Sequence, residues 1–341
     1  MKKHVVLLLA IAVVLTVLAG CGSQSTTTQE AVAYPTKEIN LVIPYDAGGA
    51  NDRSARMISS ISEQQKLTDV SIIVSNISGA GTKNGISAVV KADPDGYTLL
   101  VHHNAMVTAA ALGQLEDDLQ WQNSLRPIAQ ILETPLTFAV LADSRWATMQ
   151  ELVDEIIAKP GEIKFGFPGI NSPQAFAFQN IISAFAEQGK PLDVHYVYYE
   201  GGSAVKTALL NGEIDVMPGI TMDTVPSAVD GLYRILSVVT DNRLEALPDV
   251  PTFSECGYAM PSTTDGALRM CVWAPKNTPD SVVEYLENFL KTVYDTEEWQ
   301  AFIAENSAIA VFRTGDEVKD VFTADAETYN AIAADLQKSA A

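Results

Sequence analysis

The run Leu41-Val-Ile-Pro-Tyr-Asp-Ala-Gly-Gly-Ala-Asn-Asp52 constrains this chain more than any other segment. An apolar stretch, Ile39–Ile43, stops at Pro44; Gly48-Gly49 follows, and a helical pattern then runs over residues 52–65. A strand, a glycine turn and a helix start leave backbone N–H groups unpaired at the helix N-terminus. The aligned peptide dipoles add partial positive charge there, so such a turn binds an anion without lysine or arginine. A second turn, Gly79-Ala-Gly-Thr-Lys-Asn-Gly85, follows the apolar run 70–74 and precedes a helical pattern over 86–91. Facing one another, the two turns are suited to hold one carboxylate or phosphate.

Residues 1–20 read as a signal peptide, with Lys2 and Lys3 before an apolar core over 5–17. The core is short for a spanning helix, which needs ~20 residues. Leu18-Ala19-Gly20-Cys21 closes it and resembles the bacterial lipoprotein box, which implies acylation of the Cys21 sulfur and cleavage before it. Residues 22–33 are rich in Ser, Thr and Gln and read as a flexible tether reaching ~40 Å. The globular remainder is therefore expected outside the cytoplasm, held to the cell membrane through 21–33.

Loss of residues 1–20 removes two lysines and no acid, taking the formal charge from −20 to −22. Such acidity excludes nucleic acid and an anionic membrane surface as binding partners. Of three cysteines, Cys21 is committed to lipid. A disulfide between Cys256 and Cys271 is permitted outside the cytosol, with a buried free thiol at Cys271 as the alternative. Four histidines and two remaining cysteines give no support to a zinc site, and no metal or cofactor is expected.

From Tyr34 onward, apolar runs alternate with helical patterns. Strands are expected at Ile39–Ile43, 71–74, 98–101, 128–132, 137–141, Lys164–Phe167, 193–198, 216–218, 235–239, 267–273 and 310–312. Helices are expected at 52–65, 149–159, 173–188, 203–211, 224–230, 279–294, 297–306 and 316–337, the last with an interruption near Ala324. Thr148 with Glu151 forms a capping box. This alternation indicates an α/β fold with mostly parallel sheets. Two more glycine turns lie between a strand and a helix: Gly166-Phe-Pro-Gly-Ile-Asn-Ser172 and Tyr199-Glu-Gly-Gly-Ser203. Two turns in each half suggest a ligand clamped between two α/β lobes at strand carboxyl ends.

These pieces, in order, resemble the extracytoplasmic solute receptors of tripartite tricarboxylate transporters. Pro44-Tyr-Asp-Ala-Gly-Gly-Ala-Asn-Asp52 looks like that family's first ligand loop, and Gly79-Ala-Gly81 with Gly85 like its second. Ala92-Asp-Pro-Asp-Gly-Tyr-Thr-Leu99, Gly212-Glu-Ile-Asp-Val-Met217, Leu247-Pro-Asp-Val-Pro-Thr252 and Ala274-Pro-Lys-Asn-Thr-Pro279 are similar to further family segments. The resemblance covers nearly the whole chain after the tether. It implies a two-lobed, type II-like periplasmic-binding-protein fold, hinged on two crossing strands near 137–141 and 268–273. Lobe one is expected over 34–136 plus 274–341, and lobe two over 137–273. The implied function is capture of a small organic carboxylate, an amino acid among the options, and delivery to integral membrane transporter subunits.

The candidate ligand residues are Tyr45, Asp46, Ala47, Gly48, Gly49 and Asp52 in the first turn, and Gly81, Thr82 and Lys83 in the second. His103 and Asn104 follow the third strand. Gly169, Ile170, Asn171, Ser172 and Tyr199 come from the second half, with Asp215, whose alternative role is core anchoring. For Asp52 the alternative is an acid complementing the helix dipole. On a strand the side chains of His102 and His103 point to opposite faces, and His103 is favoured to reach the cleft. Glu200 stands where the family usually has a basic residue, Ala175 where it has histidine, and Ile170 and Phe167 make the third turn apolar. Glu200 lining the site disfavours a second carboxylate and favours an ammonium group; its other reading is a solvated turn acid. The four tryptophans are read as packing residues.

The competing classes are a secreted α/β hydrolase and a surface lipoprotein without small ligand. Ser54 and Ser203 lack a Gly-x-Ser-x-Gly setting, and neither lobe-one turn ends in Lys-Ser/Thr as a phosphate loop does. The membrane anchor is testable by itself: Cys21→Ala is expected to abolish metabolic lipid labelling and to move the protein from the membrane to the soluble fraction, whereas unchanged labelling would exclude Cys21 as the acylated residue.

Overall fold

The computed structural model describes residues 34–258 and 266–339, with side chains to 334. The signal segment, Cys21 and the tether lie outside the described residues. Eleven strands are described: β1 Ile39–Ile43, β2 Ile72–Asn76, β3 Thr98–His102, β4 Leu125–Thr134, β5 Leu136–Leu141, β6 Lys164–Phe167, β7 His195–Tyr198, β8 Met217–Ile220, β9 Tyr233–Val238, β10 Leu268–Pro275 and β11 Arg313–Thr314. The helices of eight residues or more, with one shorter, are α1 Ala50–Gln65, α2 Lys83–Val90, α3 Ala105–Ala111, α4 Met149–Ala158, α5 Pro173–Glu187, α6 Gly202–Leu210, α7 Thr221–Val229, α8 Asp280–Tyr294, α9 Glu297–Glu305 and α10 Gly315–Ser339.

The strands form a two-lobed α/β fold. A six-stranded sheet runs β11-β4-β10-β3-β1-β2, a three-stranded sheet β8-β5-β9, and β6 pairs with β7. A bridge between Phe165 and Val216 ties the β6-β7 pair to the chain entering β8. The sheets are mixed, not mostly parallel. β1 runs parallel to β2 and β3, and β6 to β7. β10 is antiparallel to β3 and β4, and β5 to β8 and β9. A chain that leaves one sheet and later returns to it must run antiparallel to its neighbours there.

β4 ends in the first sheet at Thr134 and β5 begins the second at Leu136, so the first passage falls at Pro135, just before 137–141. β10 lies wholly in the first sheet, so residues 268–273 belong with that sheet and not with the second half. The expected strand 310–312 is a two-residue bridge at Arg313–Thr314, and α10 runs through Ala324 without a break. The short helix α3 was not anticipated: its all-apolar start, Ala105-Met-Val, carries no helix period.

Each half has its own core. In the first, Trp121, Trp273, Phe322 and Tyr329 pack with Val42 and Leu100. In the second, Phe138, Phe165, Phe167, Phe178 and Phe253 stack between β5, β6 and α5, with Phe165 and Phe178 centroids 4.7 Å apart. All four tryptophans are buried, as read from the sequence. Phe167 is in this core, so it does not face the cleft. Cys271 is buried on β10 and Cys256 half-buried in a turn, and both are free thiols. No disulfide joins them; burial pushes the Cys271 thiol well up.

Beneath the first core lies an ionic network. Arg269 on β10 reaches Asp325 on α10 at 3.1 Å and Glu133 on β4 at 3.5 Å; Arg313 meets Glu133 at 2.6 Å. Removing one member leaves the others charged and dry, a loss of ~3–5 kcal/mol. Arg269→Ala is therefore expected to lower the denaturant unfolding free energy by about that amount, and the double replacement Arg269→Met with Asp325→Leu to recover most of it. A loss below ~1 kcal/mol for the single variant would show that the network is not desolvated.

Candidate functional site

Three parallel strands, β2-β1-β3, end on one edge of the first sheet, and each passes into a turn there. The first turn, residues 44–49, is braced from behind. Asp52, in the first turn of α1, accepts the Gly48 N–H at 2.9 Å and an Arg56 hydrogen bond at 3.0 Å. Asn76, at the end of β2, donates to the Tyr45 carbonyl at 3.1 Å and accepts from Arg56 at 3.1 Å. Burial works to raise the Asp52 carboxyl, but the hydrogen bonds from Arg56, Gly48 and Asn76 outweigh it and hold it below its ordinary range. Gly48 needs its glycine, with φ +90°, whereas Gly49 has φ −77° and open space around a would-be Cβ. Gly49 caps α1 without any side-chain bond, leaving the helix N–H groups free.

The second turn is strained. Gly79, Ala80, Gly81 and Thr82 all have positive φ, 107°, 51°, 62° and 79°. A β-branched threonine there is a true outlier, worth ~1–3 kcal/mol and typical of ligand clamps. Gly85 sits so close to β1 that a Cβ would fall 2.8 Å from the Pro44 Cα and 2.9 Å from the Ile77 carbonyl. The two turns are thus pressed together.

At the third strand end, β3 stops at His102, and His103 leaves the strand. The two imidazoles therefore touch, at 5.0 Å between centroids, and do not point to opposite faces; His103 stacks on Tyr45 at 5.3 Å. Burial pushes His102 down to about 3 and His103 well below its usual value, so both are neutral. His103 Nδ1 accepts the Ala105 N–H at 3.2 Å, which places its proton on Nε2.

The cleft between the halves has a volume of 1320 Å³, above the ~300–1,000 Å³ of enclosed small-molecule sites. Tyr45, Asp46, Ala47, Gly49 and Asp52 line it from the first turn, Gly81 and Thr82 from the second, and His103 from the third; Gly169, Ile170, Asn171, Ser172 and Tyr199 face them. Ser172 caps α5 by accepting the Ala175 N–H at 3.2 Å. Four candidates do not line it. Gly48 is behind the rim. Lys83 pairs with Glu116 at 2.9 Å. Asn104 is fully buried, donating to the Ala267 carbonyl and Tyr329 hydroxyl and accepting from the Arg269 N–H. Asp215 accepts the Lys164 N–H at 2.9 Å, which is its anchoring role.

Several lining residues were not singled out from the sequence: Asn51, Gln174, Tyr198 and Asp223. Asn51 stood inside the first motif, and its polarity among core neighbours was the available signal. Asp223 carried none, because α7 meets the cleft only through tertiary packing. Across the cleft, Arg53 donates to the Met222 carbonyl at 2.7 Å and lies 3.7 Å from Asp223, and the Thr108 hydroxyl bonds the Asn171 carbonyl.

Comparison with known proteins agrees with this architecture. Residues 55–336 match the family described as the tripartite tricarboxylate transporter family receptor. A UPF0065 protein from Pseudomonas sp. (strain P51) is 30% identical over 279 residues, 79% of each chain. Among solved structures, the periplasmic binding protein BugD is similar at 25% identity and TM-score 0.74, covering 90% of this chain and 98% of its own. R. palustris Rpa4515, solved with adipate, gives 21% identity and TM-score 0.76, covering 88% and 97%. MatC from Rhodopseudomonas palustris, with bound malate, gives 20% and 0.73, covering 88% and 100%.

The Asp52 brace predicts a pH signature. A carboxyl lowered in the folded state stabilises fully above its unfolded value and loses this as pH falls through the folded one. Asp52→Asn is expected to cost about 1–2 kcal/mol at neutral pH, the exposed Arg56 contributing little. In thermal melts the gap to the parent should close as the pH falls below the ordinary carboxyl value of 3.8; a constant gap would mean that the Asp52 charge is not what braces the turn.

Proposed function

The chain belongs to the tripartite tricarboxylate transporter receptor family, and on that premise we propose that it is a lipid-anchored receptor that captures a small organic carboxylate and hands it to membrane transporter subunits. The family consists of extracytoplasmic substrate-binding receptors, not enzymes. The observation that carries the carboxylate reading is the pairing of two backbone turns on one sheet edge, with every nearby cation committed elsewhere. Arg56 serves Asp52, Lys83 serves Glu116 and Arg53 reaches across to Met222. The N–H groups at the start of α1 and in the strained turn supply charge-assisted hydrogen bonds of ~1.5–3 kcal/mol each, and the neutral His103 adds a donor. Adipate and malate in two structures of the same fold support this chemistry.

Anchoring rests on the Cys21 box, and the tether keeps the receptor near its transporter. The lobes close on the ligand about the passages near 135 and before 268, lobe one being 34–136 with 274–341 less its hinge strand, and lobe two the rest. The ligand residues are the lining candidates from Tyr45 to Tyr199 named above.

A valine at Gly49 has room in the protein but projects its branches toward the helix N–H groups. Calorimetric titration with a panel of organic acids should therefore show Gly49→Val losing at least a hundredfold in affinity and Lys83→Ala less than threefold, both variants keeping the parent circular dichroism. The reverse ranking would make Lys83, and not the backbone, the anion's partner.

A further inference from the structure

We infer that the cleft selects a ligand bearing both a carboxylate and an ammonium group, an amino acid in the broad sense, over a dicarboxylate, with Asn51 and Glu200 receiving the ammonium. This rests on the carboxylate reading above and concerns the other end of the same ligand. Among the described residues that line the cleft there are four carboxylates, Asp46, Asp52, Glu200 and Asp223, and no lysine or arginine. Two of the acids are answered: Asp52 by Arg56 at 2.9 Å and Asp223 by Arg53 at 3.7 Å. Glu200 has no ion-pair partner among the described residues and lies in the turn before α6, beside Asp223, whose carboxylate would sit 3.0 Å from a Cβ on Gly202.

The independent observation is Asn51. Its side chain is 4% exposed, lines the cleft, and neither amide atom has a hydrogen-bond partner. Whichever way that amide is turned, it presents one donor and one acceptor. A carboxylate ligand satisfies the donor alone. The acceptor needs an N–H or O–H from the ligand, and leaving it dry is costly. Gln174, also 4% exposed and on the facing wall, leaves its Oε1 unpartnered as well. Unmet acceptors plus an unanswered carboxylate fit an ammonium, which brings three donors and a positive charge. A second carboxylate brings neither, and it would meet Glu200 with like charge.

The test uses the full-length chain in detergent and four acids with five carbons: valerate, glutarate, norvaline and δ-aminovalerate. Calorimetry is expected to show norvaline or δ-aminovalerate binding at least tenfold more tightly than glutarate. Norvaline ahead would put the ammonium at Asn51, and δ-aminovalerate ahead at Glu200; either supports the inference. Glu200→Gln should weaken δ-aminovalerate and improve glutarate, and Asn51→Leu should weaken norvaline without weakening valerate. Glutarate binding as well as or better than both amino compounds overturns the inference and leaves the carboxylate receptor standing. Unchanged ligand ratios in both variants overturn it too. No binding by any of the four, or by other organic acids, sinks the receptor reading itself.

Discussion

The contact on which the site depends is the one between Gly85 and the end of β1. A single Cβ at residue 85 would stand 2.7–2.8 Å from Pro44 and 2.9 Å from the Ile77 carbonyl, inside any tolerable separation. Because nothing is there, α2 packs directly against the strand end, and the turn that precedes it is forced beside the turn that follows β1. The parallel arrangement of β2, β1 and β3 does the rest, since parallel strands deliver all their carboxyl ends to one edge. The price is backbone strain: Ala80 and Thr82 sit in the left-handed region, at ~1–3 kcal/mol each. Such strain persists only where the surroundings overdetermine it, and here Gly85, the Asn84 bond to Ser78 at 3.0 Å and the buried Thr82 side chain supply that determination.

An acidic protein that takes up an anion faces an adverse long-range field, and the site's construction answers it locally. The donors are backbone N–H groups, fixed in direction and requiring no counter-charge. Their helix dipole acts over the first turn only, where screening by salt is weakest. His103 is kept neutral by burial and therefore remains a donor of fixed tautomer across the physiological pH range, unlike an exposed imidazole. The surface charge then does a different task, holding the tethered body soluble.

Much of this was legible along the chain. The strand–glycine–helix pattern located both turns, because it needs only local chemistry, and the Thr148 cap appears as read, with the Glu151 N–H on the Thr148 hydroxyl at 3.2 Å. What failed to show were consequences of tertiary packing. Asn104 looked like a cleft residue because it follows β3, yet Ala267, Arg269 and Tyr329, all more than 160 residues away, claim its whole amide. Lys83 looked available until Glu116 arrived from another turn. The pair Gly48-Gly49 looked equivalent in sequence, while only Gly48 has a φ that demands glycine. The mixed sheet order escaped because strand direction is set by which lobe the chain has just left, a property without local signature.

The two halves are joined by contacts of unequal character, and this bears on how a ligand could close them. Thr134 meets Thr221 at 3.0 Å, hydroxyl to hydroxyl, and both are fully buried beside the Pro135 passage. Such a pair near the pivot changes little in separation when the lobes rotate. Arg53 to Met222 and Thr108 to Asn171 lie farther along the cleft wall, where the same rotation moves atoms most. A ligand shifts a two-state equilibrium only by its differential affinity for the two states. The pivot contacts therefore set where the lobes turn, while the Arg53 and Thr108 contacts share with the ligand the work of holding them together. Asp223 is the point at which the two meet. Burial raises its carboxyl and Arg53 and Lys206 pull it back, so a ligand ammonium arriving beside Glu200 would strengthen the same wall that Arg53 grips. Ligand choice and closure are on this account one electrostatic balance and not two.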